Sequence, residues 1–305
     1  MSSCKICGKN FDSDRSLHGH LKSHGLTMAE YYTKYFPRKN LLTGEPLPFK
    51  NKDDYFSRDF SNRTQLIKWC NTEREDKVKD YILKLLSNRI ELKGLSVGPC
   101  HLELKINSLP TVEIYQKFFG SYTTACRELN VEPMFGDRLP EDFQMSDASE
   151  LEIFIDTREQ QPLNFAKSES LKLDFGDYAV GGDNYNYTYV DRKSEQDFKS
   201  TLSKNSLERF RNELQRAKDF DSYLFIVTES SLDQIAKNNR WGAHKSNLKY
   251  IYHNMRELSH EFNKNCQFIF TGSRERSEEL IPKILLMGKK LWNVDLQHYI
   301  DGGII

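Results

Sequence analysis

Cys4 and Cys7, followed by His20 and His24, constrain this chain more than any other feature: a gap of two residues, then twelve, then three. Residues four apart share one helix face, so both imidazoles can project from a single helix while the thiolates sit on a hairpin knuckle. Four such donors close a tetrahedron around one Zn2+ ion. Phe11 and Leu17 fall between the ligand pairs and supply a small apolar core. About 25 residues cannot bury enough surface to fold without metal. The spacing therefore predicts a metal-built ββα unit over residues 1–25.

The pattern from Cys4 to His24, with Phe11 and Leu17 in place, resembles the two-Cys, two-His zinc-finger family. That resemblance implies a helix placed in the DNA major groove, with Asp14, Arg15, His18 and Lys22 on its surface. A finger that serves only as a structural or protein-contact element is the alternative. One finger covers only about 600–1,000 Å² of DNA interface, so it needs help from the rest of the chain.

Charge first argues against such a partner, because 44 Lys plus Arg are balanced by 44 Asp plus Glu over 305 residues. The balance is uneven along the chain. Residues 1–135 hold 21 basic against 16 acidic residues, a net of +5, and the remainder holds 23 against 28, a net of −5. The first part suits phosphate contact, and the second concentrates carboxylates for another purpose. No apolar run reaches the roughly 18 residues of a membrane span, and the polar start Met-Ser-Ser-Cys-Lys lacks the apolar stretch of a signal peptide. The expectation is a soluble intracellular protein of a prokaryotic or phage-infected cytoplasm, with a nuclear location as the alternative. Cys70, Cys100, Cys126 and Cys266 lie singly and read as reduced, packed thiols.

Gly25 stops the finger helix, and Thr27 with Glu30 forms a capping-box signal for a short helix ending before Pro37. Residues 26–72 form an aromatic and basic spacer with Pro48, Tyr55, Phe56, Phe60 and Trp69, read as a small core in preference to a base-stacking surface. Residues 73–135 form a helical module. Val78, Ile82, Leu85 and Leu86 make one face of its first helix, and two further helices flank Gly120-Ser121-Tyr122 in a helix-turn-helix arrangement. Phe119-Gly120-Ser121-Tyr122, Ala125 and Asn130-Val131-Glu132-Pro133 resemble the DNA-binding repeat that accompanies many homing endonucleases. A helical spacer is the alternative reading. Residues 136–150, polar and aperiodic, read as a linker.

From residue 151 strands alternate with helices. Strands are expected at 151–155, 171–173, 187–190, 223–227 and 267–270, and helices at 206–218, 246–262 and 275–290, which together predict an α/β sheet domain over 151–305. Acidic residues gather at the strand ends: Asp156 after the first, Asp177 after the second, and Asp191 on the third with Arg192 and Lys193 behind it. Two carboxylates from adjacent strands can share a hard divalent cation, Mg2+ or Mn2+, through oxygen ligands. Asp191 and Lys193 share one strand face by the period of two, which sets an ammonium beside that cation.

Asp156-Thr157-Arg158-Glu159, Gly176-Asp177-Tyr178, Val190-Asp191-Arg192-Lys193 with Asp197, and Arg209-Phe210 with Glu213 and Arg216 resemble, in content and order, the XPF-type nuclease domain of the restriction-like class. The resemblance implies Asp177 and Asp191 as metal ligands and Lys193 as the cation that orients water. It implies Arg192 as a phosphate or fold contact, Asp156 as a further acid of the site, Arg158 and Glu159 as a supporting pair, and Asp197 as a supporting group. Asp191 stands where the family has Glu, one methylene longer. No helicase motif precedes this region and no tandem helix-hairpin-helix segment follows it, so DNA targeting is expected to fall on the basic N-terminal part.

The expectation is thus a multidomain chain: a ββα zinc finger, a small helical module and a C-terminal restriction-endonuclease-like α/β domain. Its expected activity is metal-dependent DNA cleavage of homing or phage type. A repair nuclease acting on branched DNA and a DNA-binding regulator with an inactive nuclease domain are the alternatives. Ile281, Ile284, Leu285, Leu291 and Trp292 offer either a homodimer face or a helix packed on its own sheet.

Overall fold

The computed structural model describes residues 2–37, 39, 42–46, 59–60, 62–136, 138–242 and 245–305. Pro48, Tyr55 and Phe56 of the expected spacer, the Asp14 side chain and Asp137 lie outside the described residues. The chain forms two compact units, Met1–Arg89 and Ile90–Ile305, whose net charges are +6 (17 basic, 11 acidic) and −6 (27 basic, 33 acidic). No described helix is long and apolar enough to cross a membrane.

In the first unit, β1 (Ser2–Ser3) pairs antiparallel with β2 (Asn10–Phe11), and α1 (Asp14–His20) follows, its first turn capped by Ser13. A 3-10 turn, Leu21–His24, carries the second histidine and ends at Gly25, whose φ of 68° lies in the left-handed region. The expected capping box forms: Thr27 accepts from the Glu30 backbone and Glu30 from the Thr27 backbone, opening α2 (Met28–Tyr35). This helix completes the finger's core, because its Tyr31 is fully buried with Cys4, Leu17 and Leu21. Two-residue strands supply too little apolar surface alone, so the finger draws on the helix that follows it. Further along come α3 (Arg63–Thr72) and α4 (Glu75–Lys93). Phe60, Trp69 and Tyr81 meet at ring distances of 5.1–5.7 Å, so Phe60 and Trp69 serve a small core.

The second unit takes in the end of α4 from Ile90 and continues with α5 (His101–Ile106), α6 (Val112–Phe119) and α7 (Tyr122–Glu128). The expected break falls at Gly120, with φ of 80°, and Ser121 caps α7 by accepting from the Thr124 backbone. Beyond them lies one six-stranded mixed sheet in the order β4-β3-β5-β6-β7-β8. Strand β3 (Glu152–Asp156) runs parallel to β4 (Lys167–Leu171) and antiparallel to β5 (Tyr178–Val180). Strand β6 (Thr188–Lys193) is antiparallel to β5 and parallel to β7 (Tyr223–Thr228), and β7 is parallel to β8 (Cys266–Phe270). The connecting helices are α8 (Glu195–Thr201), α9 (Leu207–Asp219), α10 (Leu232–Trp241), α11 (Leu248–Glu261), α12 (Arg274–Met287) and α13 (Leu296–Asp301).

Strand β7 shows why the sheet is central: all six residues are buried. Leu224 and Ile226 enter one apolar core with Phe210, Leu214 and Met255, while Phe225 and Val227 enter a second with Ile281 and Leu285. The alternation follows from the strand period of two, and burial on both faces accounts for the continuous apolar run.

Two strands depart from expectation. The segment 171–173 is not itself a strand; β4 ends at Leu171 and is exposed along its length, so it lacks the alternation that would reveal it. The three-residue β5 was not expected, and Asp177 accordingly precedes a strand instead of following one. The segment 136–150, expected to be a linker, is packed: Phe143 is 2% exposed, Tyr299 Oη accepts from the Leu139 backbone, and Gln144 donates to the Ile304 carbonyl. Ile281, Ile284, Leu285 and Leu291 are consumed by the second core, and Trp292 stacks on Tyr223 at 5.3 Å. Of the two readings of these residues, the structure displays the helix packed on its own sheet.

The two sheet edges differ. Strand β4 ends the sheet with Lys167 and Glu169 exposed. At β8 the Gln297 side chain accepts from the Phe270 amide at 2.7 Å and donates to its carbonyl at 3.3 Å.

Candidate active site

The N-terminal cluster is assembled by the hairpin and the finger helix. Cys7 Sγ lies 3.3 Å from His20 Nε2, Cys4 Sγ lies 3.6 Å from His24 Nε2, and the two Nε2 atoms are 3.0 Å apart. The four donor atoms all fall within 4.8 Å of one another, the spacing of ligands converging on one small cation. Burial would raise the Cys4 thiol, but the Cys7 and Ile6 amides and the Cys7 side chain hold it below its ordinary range. Desolvation, His24 and Lys9 push His20 down, towards the neutral form a metal requires. A soft thiolate pair with two neutral imidazoles suits Zn2+. Of the expected groove-facing residues, Arg15 and Lys22 are exposed, whereas His18 is engaged by the Tyr32 hydroxyl at 2.9 Å.

The second cluster is built where β5 and β6 meet. Gly176 makes the turn, with φ of 69°; a Cβ there would lie 2.9 Å from the Val190 carbonyl oxygen, so only glycine fits. The tight turn ties down Asp177, whose amide donates to Val190 at 2.7 Å and whose carbonyl accepts from Asp156 at 2.8 Å. The Asp177 carboxylate accepts from the Arg192 amide at 2.7 Å. From β6, Asp191 and Lys193 project to one face as the strand period requires, and Lys193 Nζ donates to Asp191 Oδ1 at 2.6 Å. Asp191 is 3% exposed, yet its Oδ2 has no hydrogen-bond partner. An ionised oxygen buried without a partner is costly, and a cation supplies what is missing.

Electrostatics point the same way. Burial pushes the Asp177 carboxyl up to about 8, the Asp191 carboxylate adds to the rise, and the Lys193 ammonium opposes it. Desolvation works against Lys193, but Asp191 and Asp177 outweigh it and hold the ammonium above its ordinary range. Glu213 of α9, absent from the expected site set, is the third carboxylate here: it accepts from the Gly176 amide at 3.3 Å, and burial followed by Asp191 raises its pKa. Its sequence signal was its place one position before Leu214 on the buried stripe Phe210, Leu214 and Ala217 of an otherwise charged helix.

The remaining expected residues support this cluster from around it. Asp156 accepts from the Arg158 side chain at 2.7 and 3.0 Å, from the Arg158 amide at 2.7 Å and from the Leu173 amide at 2.7 Å. Both its oxygens are thus occupied in holding the β3 turn. Arg192 points to the opposite face of β6 from Asp191 and is clamped by Glu159 at 3.0 Å and Glu229 at 3.0 Å, with Arg274 on the far side of Glu229 at 3.2 Å. Of the two expected roles for Arg192, the structure displays the fold contact. Asp197 is exposed; its backbone amide and carboxylate both engage Ser194, which caps α8.

The mixed sheet brings two aspartates and a lysine together where β5 and β6 meet, with Glu213 added from α9, an acid-rich cluster that could hold a cation. Residues 149–284 match the family model described as the ERCC4 domain. Two solved structures are similar to it. One is XPF from Aeropyrum pernix, 17% identical with a TM-score of 0.35, covering 45% of this chain and 66% of that one. The other is XPF from Aeropyrum pernix in complex with DNA, 18% identical with a TM-score of 0.33, covering 45% and 63%. The chain thus spans less than two thirds of either solved chain. No curated protein matches it.

Proposed function

We propose that the chain is a divalent-metal-dependent DNA endonuclease whose ERCC4 domain hydrolyses phosphodiester bonds. The buried, unpartnered Asp191 Oδ2 beside Asp177 and Lys193 carries this reading, because it supplies a carboxylate oxygen that only a cation or a proton satisfies. Asp177 and Asp191 would hold Mg2+ or Mn2+, with Glu213 as the acid next to them; the bound ion would polarise a phosphoryl oxygen and acidify water. Lys193 keeps its proton, is aimed by Asp191, and would set a fixed positive charge against the charge that develops on the phosphate. Gly176 and the Arg192 amide fix Asp177, while the Glu159-Arg192-Glu229 clamp holds the strand that carries both Asp191 and Lys193.

Site selection is assigned to the zinc-bound finger, through Arg15 and Lys22, and to the helical module, in the manner of a homing or phage-type enzyme. The +6 charge of the finger-bearing unit supports that division of labour, since phosphate contact is electrostatic. Sequencing the ends produced from a random linear duplex pool with Mg2+ tests the reading. Cuts clustered at one sequence are expected; cleavage confined to forks and flaps would replace it with a structure-specific repair nuclease. No cleavage of either substrate would leave a DNA-binding regulator with an inactive nuclease domain.

A further inference from the structure

Within the second unit, three side chains from three helices converge away from the strand-end carboxylates. His101 opens α5, Glu113 lies in the first turn of α6, and His298 sits on α13. One donor atom from each lies within 4.8 Å of the others. His298 Nδ1 is 3.1 Å from Glu113 Oε1, and His101 Nδ1 is 3.9 Å from the same oxygen. His101 and His298 are 2% and 5% exposed, whereas the Glu113 side chain is 45% exposed and opens the cluster to solvent.

The other nitrogen of His101 settles its tautomer. Nε2 lies 3.0 Å from Asp301 Oδ2, and Asp301 is itself fixed by Lys105 at 2.7 Å and by Gln297 at 3.0 Å. A carboxylate accepts and cannot donate, so Nε2 of His101 carries a proton and Nδ1 is the nitrogen left for a ligand. That Nδ1 is buried and has no hydrogen-bond partner. A carboxylate bonded to one nitrogen of an imidazole while the other faces a second imidazole and a second carboxylate is how histidine ligands of metals are oriented.

We propose that His101, Glu113 and His298 form a second zinc site, separate from the finger and from the strand-end acids, with the fourth position taken by water. Two neutral imidazoles and one carboxylate suit Zn2+ or Co2+ better than Mg2+, which prefers an all-oxygen shell. His101 and Glu113 belong to the helical module and His298 to the last helix of the second unit, beyond the segment that matches the ERCC4 model, so the ion would fasten one to the other.

The test counts zinc. Full-length wild type, Glu113→Gln and His298→Gln are equilibrated in zinc-buffered solution, desalted and assayed for metal per chain, with thermal melts run alongside. Sites common to all three proteins cancel in the comparison. Each variant is expected to hold about one ion fewer than wild type and to lose the zinc-dependent rise in melting temperature of the second unit. Co2+ substitution is expected to leave the thiolate charge-transfer band of the finger unchanged in both variants. Glu113→Gln alters one atom of a half-exposed side chain, so it carries the test even where His298→Gln folds poorly. Asp301→Asn keeps all three ligands and is expected to weaken this ion about 10- to 100-fold. Equal zinc content and equal thermal shifts in wild type and Glu113→Gln would overturn the proposal.

Discussion

The finger and the ERCC4 unit both prepare carboxylate, imidazole or thiolate donors for a cation, but they stand in opposite relations to it. The finger owns two strands of two residues and a core of Cys4, Leu17, Leu21 and the borrowed Tyr31. Without its metal it has little else to hold it. The second unit has two apolar cores on either side of a six-stranded sheet, enough buried surface to carry a fold of its own. There a cation would be an occupant of an unfavourable electrostatic arrangement that the cores can sustain. In the proposed scheme metal would build the first region, whereas the second region's fold would build a place for metal.

The difference can be broken or sharpened by substitution. Cys7→Ser, at an exposed ligand, is expected to remove on the order of 10 kcal/mol of metal-linked folding free energy from the finger. Proteolysis confined to residues before α3, with the thermal transition of the ERCC4 unit unchanged, is the expected outcome; loss of both together would merge the two regions into one folding unit. Arg192→Leu leaves Glu159 buried without its charged partner and Glu229 with Arg274 alone, and is expected to cost about 3–5 kcal/mol in urea unfolding. Restoring the charge with lysine is expected to recover only part of that, because one ammonium cannot match the guanidinium's several contacts.

Lys193→Ala leaves the cores intact and is expected to lower the cleavage rate about 10²- to 10³-fold, the scale of losing one charge-stabilising donor, while DNA binding persists. Wild-type rates in that variant would remove Lys193 from the chemistry. Asp177→Asn sharpens the comparison most directly, because function and stability are expected to move in opposite directions. The folded carboxyl keeps its proton up to about pH 8, against an ordinary value of 3.8. Stability is therefore fullest below the ordinary value and falls as pH rises towards 8, where the unfolded chain ionises and the folded one resists. In metal-free solution the asparagine variant is expected to gain on the order of 2 kcal/mol at pH 8 and nothing near pH 4, while losing Mg2+-dependent cleavage. A loss of stability at pH 8 would mean that Asp177 supports the fold.

Sequence alone disclosed those parts whose physics is local. Ligand spacing exposed the finger, Thr27 with Glu30 exposed α2, and the continuous apolar run from Tyr223 to Val227 exposed the central strand. The pair Asp191 and Lys193 was readable because a strand repeats every two residues. What stayed hidden depends on distant neighbours. Strand β5 has three residues, too few for a period, and exists through pairing with β3 and β6. The segment 136–150 has a linker's composition, yet it meets the second core, and α13 and the residues beyond it across 160 residues of sequence. Asp156 looks like its neighbouring acids until Arg158 and Leu173 are seen to fill it. Glu213 stands beside the apolar stripe of its helix, but that it meets Gly176 depends on where the helix packs against the sheet.

The two ends of the sheet carry a consequence for how the molecule behaves in crowded solution. An unpaired strand edge is a template on which another chain can add. At β4, Lys167 and Glu169 discourage that by charge, whereas at β8 a single amide, Gln297, occupies the Phe270 amide and carbonyl. The β8 strand is apolar and wholly buried, and Gln297 is the side chain that satisfies both Phe270 groups. Gln297→Leu would keep the bulk of the residue while freeing both backbone groups beside Ile269 and Phe270. Self-association that grows with protein concentration should then start at this edge, through new strand pairing, and leave the monomer's own cores undisturbed.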